Sequence, residues 1–111
     1  MKIGFTAKGN TLDSPMEERF GRSPFFIIVD SETGSFEVIQ NPLANAGGGV
    51  GPKAAQLVIG VGVKAVVTGQ VGGNAQEVLS AAGIPIYLYR NGKSVKDALD
   101  QFRNNTLEQS T

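Results

Sequence analysis

A chain of 111 residues and 11.6 kDa has the length of one small domain. Its ten Lys and Arg balance ten Asp and Glu, which argues against sequence-independent nucleic-acid binding. Cysteine, histidine and tryptophan are absent. That excludes a disulfide framework, a thiolate nucleophile, a Cys-ligated zinc or iron–sulfur site, an imidazole base and a Ser-His-Asp triad.

Residues 2–6 predict a first strand. No run approaches 18 apolar residues, and Met1-Lys2-Ile3-Gly4-Phe5-Thr6 lacks the apolar core of a signal peptide. The expectation is a soluble cytoplasmic domain with no membrane contact. Residues 7–23 form a polar connection, in which residues 16–20 could make one helical turn. Phe25–Asp30 is a nearly continuous apolar run, the pattern of a strand buried on both faces. Ser31-Glu32-Thr33-Gly34 joins it to residues 35–40, with Phe36 and Val38 on one face and Glu37 and Ile39 on the other. Residues 41–51 are a loop whose softest part is Gly47-Gly48-Gly49. Pro52 suits the first position of a helix, which runs to about Ile59 and ends at Gly60 or Gly62. Residues 64–68 form a strand around Ala65-Val66-Val67. Residues 69–73 turn into a helix over 74–82, stopped by Gly83. Residues 84–88 form the fifth strand, and Pro85 at its start points to a sheet edge. Ser94 with Asp97 reads as a capping box. Val95, Ala98, Leu99 and Phe102 recur at i, i+3, i+4 and i+7, an amphipathic helix for one sheet face. Residues 104–111 hold one apolar residue and read as a flexible tail, leaving one domain over 1–103.

A strand, a hairpin and then α-β-α-β-α imply right-handed parallel crossovers beside an antiparallel ribbon. The expected fold is α/β: a mixed five-stranded sheet, helices on both faces, in the ribonuclease H-like layout. Two-metal nuclease chemistry on such a fold needs clustered carboxylates starting from the first strand. Residues 2–6 hold no acid, Asp13 lies in a loop, and Asp30 lies at a turn. With no acid/base or nucleophile constellation, the chain reads as a non-enzyme.

The 15 glycines are roughly twice average usage, and they gather in two places. Gly47-Gly48-Gly49-Val50-Gly51-Pro52-Lys53 leads flexible backbone into a helix start, where N–H groups and the helix dipole favour an anion. It is not a P-loop, since the G-x-x-x-x-G-K-[ST] spacing is absent. The dinucleotide pattern is met only loosely, with no acid about 20 residues on. A connection with no ligand is the plain alternative. Thr68-Gly69-Gln70-Val71-Gly72-Gly73-Asn74 follows a parallel strand and opens a helix, the usual crevice of an open α/β sheet. Asn74 there could cap the helix or touch a ligand, and a tight turn is the plain alternative. Arg19-Phe20-Gly21-Arg22-Ser23-Pro24-Phe25 offers two arginines at a rim, for an anion or for solvent. Tyr87 and Tyr89 read as packing residues.

In order and spacing these segments, with Asn41-Pro42 and Gly83-Ile84-Pro85-Ile86-Tyr87, resemble the dinitrogenase iron-molybdenum cofactor family over about residues 1–103. The resemblance implies a stand-alone ribonuclease H-like domain that binds or carries a metal–sulfur cofactor. Some members act in nitrogenase cofactor assembly. Others, the small orange proteins, hold a mixed molybdenum–copper sulfide cluster non-covalently. This sequence lacks His and Cys, so a cluster here would bring its own sulfide. The implied contacts are Arg19, Arg22, Asn41, Gly47, Gly48, Gly49, Gly51, Lys53, Thr68, Gly69, Gly72, Gly73 and Asn74, with Met16 sulfur as a weak soft contact. The expected function is a carrier for an anionic molybdenum-containing metal–sulfur cluster. Cluster-donor or acceptor proteins would be its partners, and the chain a monomer or weak homodimer. The alternative is a small regulatory or interaction module that binds a nucleotide, a phosphate metabolite or a protein, without metal.

Overall fold

A computed structural model describes residues 1–45 and 50–110. In chain order these form β1 (Lys2–Ala7), β2 (Phe25–Asp30), β3 (Phe36–Gln40), α1 (Val50–Gly60), β4 (Val63–Thr68), α2 (Gly73–Ala81), β5 (Ile86–Leu88), α3 (Val95–Arg103) and β6 (Glu108–Gln109). One mixed sheet has the order β3-β2-β1-β4-β5-β6. Strand β1 pairs antiparallel with β2 and parallel with β4, and β4 pairs parallel with β5.

Strand alternation sorts the apolar residues onto two faces. Ile3, Phe5, Ile27, Val29, Ala65 and Val67 meet Val95, Ala98 and Leu99 of α3. Phe26, Ile28, Val63, Val66 and Ile86 meet Ala54, Ala55 and Val58 of α1 and Ala75 and Leu79 of α2. Each fully buried Val, Leu, Ile or Phe contributes roughly 1.5–3 kcal/mol, so two such layers hold the sheet from both sides. The β2–β3 turn is set by Asp30, whose Oδ1 accepts from the Glu32 N–H at 2.9 Å and the Thr33 N–H at 3.4 Å. These bonds lower the Asp30 pKa, while Gly34 takes φ +79°.

Several expectations are corrected. The sheet has six strands among the described residues, not five, because the segment read as a tail supplies β6. Gln109 and Glu108 stand opposite Tyr87 and Leu88, the Ser110 N–H donates to the Ile86 carbonyl at 2.7 Å, and Leu107 packs on the α3-side core. Strand β5 is therefore not an edge. Pro85 needs no edge because it precedes the strand, and its carbonyl accepts from the Val66 N–H at 3.0 Å. Helix α1 begins at Val50, so Pro52 is its third residue, still in the first turn where no N–H acceptor exists. Residues 16–20 make no helical turn. They run extended, bridging Ala7 through Met16 and Gln70 through Arg19. No helix of the described residues is long and apolar enough to cross a membrane.

Candidate functional site

Strands β1, β3, β4 and β5 all run the same way, so their carboxyl ends share one edge of the sheet. The connections that follow them meet there, as in other open α/β sheets. The frame of this edge is segment 16–23, which bridges its neighbours at Met16 and Arg19 and then turns over Phe20–Ser23, where the Ser23 N–H donates to the Phe20 carbonyl at 3.3 Å. The Thr6 hydroxyl donates to the Glu17 carbonyl at 2.6 Å and lies 2.9 Å from the Thr68 hydroxyl. The Gln70 N–H donates to the Glu18 carbonyl at 2.7 Å, and the Phe20 N–H donates to the Gln70 carbonyl at 3.1 Å. The arginine segment and the second glycine loop are thus one hydrogen-bonded unit.

Close approach explains some of the glycines. A Cβ on Gly69 would stand 2.6 Å from Glu18 Cγ and 2.8 Å from the Glu18 carbonyl oxygen. A Cβ on Gly21 would stand 3.0 Å from Gly51 Cα, and one on Gly51 would stand 3.2 Å from Ala75 Cβ. Gly21, Gly51 and Ala75 therefore stack as small residues, drawing the arginine segment against the starts of α1 and α2.

Gly72 and Gly73 differ. Among the described residues nothing lies within 4 Å of a Cβ at either position, and Gly72 sits at φ −68°, ψ 157°, a conformation open to any residue. Packing does not demand glycine here. Gly72 is the N-cap of α2 and no side chain caps the helix, so Asn74 is exposed and not a cap. The start of α3 is closed by contrast. Ser94 Oγ accepts from the Asp97 N–H at 3.1 Å, while the Val95 and Lys96 N–H groups donate to the Ser14 and Leu12 carbonyls at 3.0 and 2.9 Å. A helix start that no described side chain caps leaves its first N–H groups as donors at the positive end of the dipole.

Charge at this edge departs from the neutral whole. Its loops and the first turns of its helices carry Lys8, Arg19, Arg22, Lys53, Arg90, Lys93 and Lys96 against Asp13, Glu17, Glu18 and Asp97. Arg19 Nε lies 3.6 Å from Glu17 Oε2, which also accepts the Arg19 backbone N–H at 2.9 Å. Arg22 Nη1 donates to the Ala44 carbonyl at 3.4 Å. Lys8, Lys53 and Lys93 form no ion pair with a described residue. At the opposite edge Lys2 is paired with Glu37.

The residues expected at the site separate accordingly. Arg19, Arg22, Gly51, Lys53, Gly69, Gly72, Gly73 and Asn74 come together at this edge. Gly47, Gly48 and Gly49 lie outside the described residues. Asn41 is buried and fully occupied: its Nδ2 donates to the Gly21 and Ser23 carbonyls at 3.3 and 2.9 Å, and its Oδ1 accepts from the Leu43 N–H at 3.1 Å. Thr68 is wholly buried within the frame. Both support the frame of the edge from within. Met16 is only 6% exposed and packs in the α3-side core. Arg90 was missed. Its Nε donates to the Gly69 carbonyl at 2.9 Å, and its place just after β5 was the signal that could have found it.

Among the described residues no group of three or more His, Cys, Asp or Glu could hold a metal ion. A bare ion does not fit this donor set. A preformed anionic body that brings its own ligands does, against N–H groups and cations. Fold and site define a small α/β domain whose sheet gathers glycine loops, helix starts and cationic side chains at its carboxyl edge. The chain belongs to the dinitrogenase iron-molybdenum cofactor family, whose model matches residues 1–105. It is 34% identical to an uncharacterized protein of Methanocaldococcus jannaschii, over 97% of this chain and 90% of that one. The apo form of the orange protein from Desulfovibrio gigas superposes with a TM-score of 0.94 at 32% identity, over 99% of this chain and 92% of that one. A Thermotoga protein described as NifB-like and assigned to the DUF35 family gives 0.86 at 38% identity, over 97% and 91%.

Proposed function

We propose that the protein is a non-enzymatic carrier that holds an anionic molybdenum-containing metal–sulfur cluster non-covalently. The observation that carries this reading is the start of α2, where no described atom lies within 4 Å of a Cβ at Gly72 or Gly73, at the sheet edge whose loops and helix starts also hold Arg19, Arg22 and Lys53. Family membership and the similarity to an orange protein support a cofactor-handling role. The donor set favours a cluster with its own sulfide, a molybdenum–copper sulfide being the first candidate. The cluster is cargo here. The chain supplies N–H donors and positive charge at this edge, its cradle. A ribonuclease H-like reading of the fold belongs to the same proposal. The strand order β3-β2-β1-β4-β5 supports it, with β6 as an addition.

Titration of the purified protein with tetrathiomolybdate and copper, followed by visible absorption, tests the proposal. The expected result is a new band that saturates at a fixed stoichiometry. A band that never saturates, or none, would sink it. Backbone amide shifts with phosphate or ATP, and none with thiometallates, would favour the metal-free regulatory module instead.

A further inference from the structure

Beside the cradle, beyond Glu18, lies a second concavity of about 170 Å³ lined by Lys8, Met16, Glu18, Tyr89, Arg90 and Gly92. It sits between the carboxyl ends of β1 and β5, where Lys8 and Arg90 each follow a strand. Arg90 binds the protein through Nε, which donates to the Gly69 carbonyl at 2.9 Å. A guanidinium has five N–H donors in a rigid plane. The bond to Gly69 anchors Nε of this exposed side chain, and the other four donors make no hydrogen bond with a described residue. Lys8 is tied down only through its backbone N–H, on the Pro15 carbonyl at 2.9 Å, and its ammonium forms no ion pair with a described residue. Glu18, the acid of this pocket, forms none either. The pocket therefore has one positive charge in excess. Gly69, which aims Arg90, is three residues from Gly72, at most about 11 Å along the chain.

We propose that Arg90 is an anion-gripping residue of the carrier site, aimed by the Gly69 carbonyl, and that with Lys8 it extends the cradle from the start of α2 into this pocket. The inference rests on the carrier reading. It adds that the ligand is gripped on two sides, by the α2 start and by the Arg90 plane. It also adds that the Gly69 carbonyl transmits the position of Arg90 to the loop that opens α2.

Three variants test it in the thiomolybdate–copper titration. Arg90→Met removes both charge and Nε, and should weaken binding about tenfold, the scale of one charge-assisted hydrogen bond. Arg90→Lys restores charge without the planar fork and should recover part of that loss. Lys8→Met keeps every hydrogen bond that Lys8 makes to described residues, so it should fold as the parent does, yet bind about threefold more weakly. Each Met variant should also show a smaller loss of affinity with added salt, because one screened attraction is gone. A role for Arg90 in stability alone would lower the urea midpoint without changing the salt response. Saturable binding by the parent, with both Met variants matching its affinity and salt response, would overturn this inference and leave the carrier reading intact. No binding by the parent would overturn both.

Discussion

At the level of single residues the glycines divide by what surrounds them. Gly69 is enforced by Glu18, with no room for a Cβ. Gly69→Ala should therefore destabilise the fold by about 1–3 kcal/mol, the usual cost of overpacking, read from urea denaturation. Gly73→Ala meets open space and should leave stability equal or up to about 1 kcal/mol higher, since Ala suits a helix better than Gly. The sequence shows that glycine gathers in these loops, but not which glycine is packed and which is free. That depends on Glu18, which is fifty-one positions away and carries no motif. Gly34 and Gly83 were legible because a left-handed turn residue is a local requirement, and both have positive φ. Asn41 was misread for the opposite reason. Asn41 is buried while Pro42 beside it is exposed, and its Nδ2 donates to the Gly21 and Ser23 carbonyls, 20 and 18 positions away in sequence. Tyr89 makes a further prediction. It is 3% exposed, and burial, reinforced by its hydrogen bond to Asp97, pushes its pKa up to about 12. The folded state then keeps this proton where the unfolded chain, near pKa 10, releases it. Its contribution is complete below pH 10 and should be lost between about pH 10 and pH 12, on the order of 2 kcal/mol. Urea midpoints of the parent across that window should fall more steeply than those of Tyr89→Phe.

Among the elements, those with a periodic apolar signal were read correctly in type and nearly in extent. Strand β2 matched to the residue, and α3 kept its Ser94 cap. Strand β6 was not legible, because Glu108 and Gln109 carry no strand signal. The open side of β5 makes them a strand, with Leu107 packed on the core before them and the Ser110 N–H on the Ile86 carbonyl after them. Ending the chain at Asn105 should lower stability by about 1–2 kcal/mol, on the scale of one partly buried Leu. It should also leave the Ile86 carbonyl without its bond from Ser110. Thermal unfolding measures the first effect, and loss of β5 protection in hydrogen exchange measures the second. The start of α2 gives the sharpest test of an element. Gly72→Asp places a good N-cap residue where no side chain caps the helix, so stability should hold or rise by about a few tenths of a kcal/mol. The same carboxylate occupies the mouth of the cradle and should abolish thiomolybdate binding. A variant that is stable and still binds like the parent would show that the cluster does not sit on α2.

Across the whole molecule, net neutrality hides a division of charge. Seven cations face four acids at the carboxyl edge, while Lys2 at the other edge is paired with Glu37. The sequence shows the balance but not the division, because Lys8, Arg19, Lys53 and Arg90 are brought together only by the parallel strands. Binding at such an edge should weaken as ionic strength rises from about 0.01 to 0.15 M, where the screening length shortens from about 30 to about 8 Å. The central claim is that this edge carries a molybdenum-containing metal–sulfur cluster, and its most direct test is the protein taken from its own cells. Isolated without air or chelator and analysed for metals and acid-labile sulfide, it should contain molybdenum and sulfide in a fixed ratio to protein. Protein from molybdenum-replete cells, isolated the same way, with neither molybdenum nor sulfide would contradict the account.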